Sequence, residues 1–258
     1  IYMKEYNCFF FDVDGTLLDN GSHSVPDSTL KGIKRLKELN KKCIICSGRG
    51  VETLKLVKEL DFIEWDGYIL YNGALCVDKE YSILKMDKMD EKILKEIDDI
   101  SNENDIVIYY EGMHSWMNKL LNEKAIKGLQ FMGLTSGFAI KDIDEDVCML
   151  MAFDDDFSMF DSVEGISIFP TPHHYADIGI KGISKGSGIQ VFCDYFKIPV
   201  EQTMGFGDGN NDIDMIKMVG MGIAMGQGTN AIKKVADYIT DDVDQDGLYN
   251  ALVTFNCI

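Results

Sequence analysis

Two short stretches concentrate oxygen-rich side chains: DVDGT at Asp12–Thr16 and GDGNND at Gly207–Asp212. In the first, Asp12 and Asp14 stand two residues apart, directly after the apolar run NCFFF at Asn7–Phe11. Carboxylates that close repel each other unless a cation or a shared proton relieves them. Gly15 permits a tight turn, and the backbone N–H groups of such a turn can point at an anion. In the second, Gly207 and Gly209 tighten the loop, while Asp208, Asp212, Asn210 and Asn211 supply hard oxygen donors of the kind Mg²⁺ takes. Each stretch has a plainer reading, an acidic turn for the first and a helix-capping turn for the second. Two such loops, each following a strand of one sheet, favour a metal site.

Two further elements suit an anion. Ser47 opens the triplet Ser47-Gly48-Arg49 after an apolar stretch. A hydroxyl with adjacent N–H groups near a helix start can bind a phosphoryl oxygen, although helix capping would use the same residues. Lys185, in SKGSG, is a cation available to phosphate, or else one surface lysine among many.

The elements that must position these residues follow from hydrophobic patterning. Asn7–Phe11 is apolar without a break, as a central parallel strand buried on both faces should be. A helix begins near Pro26 with Leu30, Ile33, Leu36 and Leu39 on one face. Lys42–Cys46 is a second strand, and a helix with Leu54, Val57 and Leu60 should follow. Gly67–Tyr71 is a third strand, followed by Asn72-Gly73-Ala74 and the extended piece LCVD. This β-α-β-α-β rhythm predicts an α/β, doubly wound, Rossmann-like parallel sheet, in which ligands bind beyond the carboxyl ends of the strands. The rhythm breaks between about Ser82 and Gly179, where strands outnumber helices. It resumes with a helix over Ser184–Phe196, the strand TMGF, a helix from Asn211, the strand GMGIAM, a helix after GQGTN, the strand DYIT and a last helix. The expected organisation is a core of residues 1–81 and 180–258 with an inserted α+β cap domain of residues 82–179.

Composition narrows the class. The 258 residues are 46% hydrophobic with only 4 Pro, enough to bury a sizeable core. A net charge of −18 repels nucleic-acid phosphates and anionic membranes, so neither is an expected partner. No stretch reaches the ~20 apolar residues of a membrane helix, and the apolar start lacks a signal-peptide layout. Seven Cys, an odd number, do not form a secreted disulfide framework. Cys43 and Cys46 have CxxC spacing on a strand, without a second pair or a nearby His for zinc, so they read as buried thiols. A reducing cytoplasm fits.

Taken in order, DxDGT, SGR, K and GDGNND resemble the motifs of the haloacid dehalogenase superfamily, and within it the Cof-like hydrolases with a large α/β cap. The resemblance spans nearly the whole chain. It implies an Mg²⁺-dependent phosphatase acting on a small phosphorylated metabolite, a sugar phosphate or similar, through an aspartyl-phosphate, as a monomer or homodimer. By resemblance Asp12 is the nucleophile and Asp14 the general acid/base. Ser47, Gly48, Lys185 and Asn211 bind phosphate. Asp12, Asp14 (through its carbonyl) and Asp208 hold the metal, and Asp212 and Arg49 support. The cap would act as a lid, with His114, Trp116, His173, His174 and Tyr175 as candidate substrate contacts. A phosphomutase or phosphotransferase is the first rival on this scaffold. A dehalogenase suits the acid beside the nucleophile poorly, and a non-catalytic binding protein should lack one of these residues. A dinucleotide-binding oxidoreductase would need G-x-G-x-x-G where DVDGT stands.

Overall fold

The computed structural model describes residues 5–134 and 138–258. The chain divides into two units. The first comprises the residues up to Gly48, Val57–Lys85 and Ser184–Ile258; the second comprises Arg49–Leu56 and Met86–Ile183.

The first unit is built on strand β1 (Cys8–Phe11), whose four residues are buried. Helix α1 (Asp27–Glu38) follows Pro26, then β2 (Lys42–Cys46). The predicted helix through Leu60 is broken. Only α2 (Val51–Leu54), which falls in the second unit, is α-helical, and Lys58–Phe62 in the first is a 3-10 turn. Leu54 ends α2, Val57 lies between the two pieces and Leu60 falls in the 3-10 turn, and all three are buried. Strands β3 (Gly67–Leu70), β4 (Leu75–Asp78) and β5 (Ile83–Met86) come next.

The second unit contains α3 (Glu91–Glu103), β6 (Val107–Glu111), β7 (Ser115–Met117), α4 (Glu123–Phe131), β8 (Ala139–Ile140), β9 (Met149–Phe153), β10 (Ile166–Pro170) and β11 (Ala176–Ile180). The chain then returns to the first unit with α5 (Lys185–Phe196), β12 (Thr203–Gly207), α6 (Ile213–Met218), β13 (Met221–Ala224), α7 (Asn230–Lys233), β14 (Tyr238–Ile239) and α8 (Gly247–Thr254).

The core sheet runs β14-β13-β12-β1-β2-β3-β4-β5. Its strands from β14 to β3 are parallel, so their carboxyl ends share one edge. β4 is antiparallel to β3, a departure from a wholly parallel sheet. The four residues between them are far too few for a crossover, which leaves only a hairpin. Cys8, Phe10, Ile44, Ile69, Ile189, Phe192 and Met215 pack together on one face. Phe11 meets Trp65 and Phe206 at ring-centroid distances of 6.0 and 5.3 Å. Among the described residues no helix is long and apolar enough to cross a membrane.

The second unit carries a six-stranded sheet, β10-β11-β9-β6-β7-β8, antiparallel except for β7 beside β8. α3 covers one face with Ile97, Ile106, Ile108, Tyr110 and Trp116. α4 covers the other with Val107, Tyr109, Met151 and Phe153. At the end of that second face burial pushes the Glu111 carboxyl well up, reinforced by Asp177 and Glu52. Burial also raises Asp177, to about 7. The folded state therefore keeps a proton on Asp177 that the unfolded chain sheds near pH ~3.9. The Asp177 contribution to stability should fall as pH rises from about 4 to about 7 and then level off. Asp177→Asn is expected to make that slope shallower and to stabilise the protein at pH 8 by ~1–3 kcal/mol, less than the full shift because Asp177 keeps some exposure. Urea melts at pH 5 and pH 8 measure this; equal slopes in both proteins would contradict it.

Candidate active site

The DVDGT loop closes on itself just past β1. The Val13 carbonyl accepts N–H donations from Thr16, Leu17 and Leu18 at 3.3, 3.0 and 2.8 Å, and Gly15 N–H donates to the Leu18 carbonyl at 2.8 Å. Gly15 sits at φ +82, the left-handed region that favours glycine. A Cβ there would stand 2.2 Å from Asp208 Oδ2. The two acidic loops are thus packed carboxylate against α-carbon. Gly15→Ala should force Asp208 aside and lower affinity for a divalent cation by at least about ten-fold, the scale seen when a ligand's support is disturbed. Calorimetric titration with Mg²⁺ checks this, and unchanged affinity would refute the packing.

The centre of the cluster is Lys185, fully buried at the start of α5. Its Nζ donates to Asp12 Oδ1 at 2.5 Å and to Asp212 Oδ1 at 2.6 Å. Asp212 is equally buried, and its Oδ2 accepts from the N–H groups of Asp208 and Gly209 at 3.0 and 2.9 Å. Both Asp212 oxygens are therefore occupied in holding the loop and the lysine. Asp12, Asp208 and Asp212 each bring one carboxylate oxygen within 4.8 Å of the others, close enough to surround one metal ion. With Asp212 so engaged, Asp12 and Asp208 have the oxygens to offer.

The electrostatics follow from crowding. Burial, then Asp212, push the Asp12 carboxyl well up against the opposing pull of Lys185. The same two causes raise Asp208, to about 6, with Asp14 adding to it. Burial alone would lower Lys185, but the charges of Asp12 and Asp212 outweigh it and hold the ammonium above its ordinary value. Such a site favours a cation that neutralises the surplus carboxylates.

Ser47 is buried at the end of β2, with its N–H on the Ile69 carbonyl at 2.8 Å. Gly48 lies against the amide of Asn72, where a Cβ would come within 3.1 Å of Asn72 Oδ1. Asn211 Nδ2 donates to the same Asn72 oxygen at 3.1 Å. Asp14 is half-buried and near enough for its charge to act on both Asp12 and Asp208. Arg49 belongs to the second unit, where its guanidinium donates to the Thr53 carbonyl at 3.1 Å.

A family model for haloacid dehalogenase-like hydrolases matches residues 9–252. The chain belongs to this family. It is 26% identical over 93% of its length to the 5-amino-6-(5-phospho-D-ribitylamino)uracil phosphatase YcsE of Bacillus subtilis, 92% of which is covered. Among solved structures it is similar to the phosphatase BT1666 of Bacteroides thetaiotaomicron, with 29% identity and a TM-score of 0.84 over 100% of this chain and 97% of that one. It is also similar to the subclass IIB sugar phosphatase BT4131, with 27% identity and a TM-score of 0.83 over 98% and 100% of the two chains. The protein is accordingly an enzyme that cleaves phosphoric monoesters.

Within this haloacid dehalogenase-like hydrolase, sequence reasoning missed the loop after β13. Gln227 Nε2 donates to the Gly15 carbonyl, and its Oε1 accepts from Val243 N–H at 2.9 Å. Thr229 donates its N–H to the Asp208 carbonyl and its hydroxyl to Asn210 Oδ1, both at 2.9 Å. The GQGTN run buttresses both acidic loops; its glycines and position after a parallel strand were the available signal. In the second unit, Trp116 is a correction. It is fully buried, stacked on Tyr110 at 5.6 Å with Lys141 over its ring, so it serves the unit's own core rather than a ligand. His114 and His174 pair with Glu145 and Asp155, at 2.8 and 2.5 Å. His173 stacks on Phe131, and Tyr175 packs beside Phe153.

Proposed function

We propose that this protein is an Mg²⁺-dependent phosphatase of small phosphorylated metabolites, sugar phosphates or similar, working through an aspartyl-phosphate on Asp12. The observation that carries the reading is the buried Lys185 bonded to both Asp12 and Asp212, with Asp208 within 4.8 Å of the two acids. The donor set is all oxygen, which fits a hard cation and not a soft one. Asp12 and Asp208, with the Asp14 carbonyl, would hold Mg²⁺. Bound there, it offsets the charge that otherwise keeps an anionic carboxylate from an anionic phosphate.

The remaining chemistry belongs to the side chains. Asp12 attacks phosphorus in line, and the P–O bond to the leaving alcohol breaks. Asp14 gives that oxygen a proton. Asp14, now ionised, takes a proton from water. The hydroxide so formed attacks phosphorus, releases inorganic phosphate and restores the Asp12 carboxylate. Lys185, the Ser47 hydroxyl, the Gly48 N–H and Asn211 stabilise charge on the equatorial oxygens. The names of relatives that are sugar and ribitylaminouracil-phosphate phosphatases support a polyhydroxylated leaving group.

Phosphate release across a panel of sugar, polyol and cofactor phosphates, with Mg²⁺ and then with a chelator, tests the proposal. Turnover of at least one ester that disappears with chelator and returns with Mg²⁺ is expected. Turnover indifferent to chelator, or conversion of sugar-phosphate isomers without phosphate release, would overturn it.

A further inference from the structure

Strand β3 is followed by three consecutive residues with left-handed backbone: Tyr71 at φ 53, Asn72 at φ 52 and Gly73 at φ 105. A non-glycine residue there costs about 1 kcal/mol or more, so its surroundings must hold it in place. Gly73 has no alternative. A Cβ would lie 2.0 Å from the Ser184 carbonyl and 2.9 Å from Ser187 Oγ, so this turn is pressed against the start of α5, one residue from Lys185. Asn72 N–H donates to the Ser47 carbonyl at 3.1 Å, and Asn72 Oδ1 accepts from Asn211 Nδ2 at 3.1 Å. Gly48 leaves room for that same amide. One three-residue turn therefore touches the loop of Ser47, the helix of Lys185 and the loop of Asn211.

We propose that Asn72 is a positioning residue that acts through Asn211. It pins one N–H of an exposed amide, so that the second N–H is held toward a phosphoryl oxygen, and it sets the Ser47 loop beside it. This rests on the reading above, in which Ser47, Lys185 and Asn211 share one phosphoryl group. The competing explanation is that Asn72 is there only because asparagine and glycine make this turn. Asn72→Gly separates the two, since glycine keeps the left-handed backbone and loses only the amide.

The test is a double-mutant cycle on N72G, N211A and the pair. It is read as kcat/KM for p-nitrophenyl phosphate with Mg²⁺ and as calorimetric affinity for inorganic phosphate. N72G is expected to fold and to lose about 10- to 100-fold in kcat/KM, the scale of a displaced contact group. N211A should then cost much less in the N72G background than in the wild type. N72D keeps both the backbone and the acceptor, so N211A should cost as much there as in the wild type. N72G matching the wild type, or N72G and N211A losses that multiply independently, would overturn the proposal. If N72G does not fold, the N72D comparison decides, and a smaller N211A cost there overturns it. A wild type that releases no phosphate defeats the functional reading instead, while the phosphate affinities still score Asn72.

Discussion

Asp12→Asn is expected to reduce phosphate release by at least about 10⁴-fold, the scale on which enzymes lose a covalent nucleophile, without lowering thermal stability. The first half follows from the proposed mechanism, because an amide nitrogen or carbonyl could not form the proposed aspartyl-phosphate. The second follows from electrostatics. Asp12 is buried among Asp14, Asp208 and Asp212, with one lysine to oppose them, and its carboxyl is pushed well above the usual range. A group whose folded pKa is raised weakens the fold as pH climbs past its unfolded value of ~3.9. Asparagine removes that penalty and still offers Lys185 an oxygen. Metal-free melts at pH 7.5 should show an equal or higher midpoint for the variant. Activity within ten-fold of the wild type would remove Asp12 from the nucleophile's role, and a large fall in midpoint would mean that the cluster is not repulsive.

Lys185→Met should do the opposite to stability while also abolishing turnover. The ammonium is fully buried and bonded at 2.5 and 2.6 Å to two carboxylates that are themselves buried. Methionine fills much of the volume and leaves both anions uncompensated. Breaking a buried pair from one side costs about 3–5 kcal/mol. The deficit should depend on pH in a stated direction. Asp12 already lies well above its usual range and is driven further up without the lysine, so the gap widens as pH climbs past the wild type's raised Asp12 value. From the lysine's side, its raised pKa means that the stabilisation is complete below the unfolded lysine value of ~10.4 and fades only as pH climbs toward the still higher folded value. Denaturant melts at pH 4.5 and 7.5 measure the difference. A variant as stable as the wild type at pH 7.5 would show that the lysine does not hold the cluster together.

Much of this was legible in the chain because the strands are strongly marked. Phe9-Phe10-Phe11 admits little but a buried strand, and Asp12 then falls on the sheet edge without further information. The interval between Leu70 and Leu75 also excludes a crossover, so the antiparallel edge was readable from loop length. What could not be read were contacts that depend on three-dimensional register. Nothing in GQGTN shows that Gln227 reaches a carbonyl 212 residues earlier in the chain. Nor does Asn72 announce that its amide meets one 139 residues later. The broken helix after Ser47 was misread because an apolar interval of three does not require one continuous helix. Trp116 shows the reverse problem: aromatic side chains are alike in sequence whether they face a ligand or fill a core.

No disulfide joins the seven cysteines, and all are buried. Burial pushes up the thiols of Cys8, Cys43 and Cys46, and raises Cys148 to about 12 and Cys193 and Cys257 to about 11. Thiolate, the form that alkylating agents attack, is therefore scarce while the chain stays folded. Cys148 is the lone sulfhydryl of the second unit, and the other six lie in the first. Mass-resolved alkylation over time would then clock the opening of each unit separately, with no introduced label.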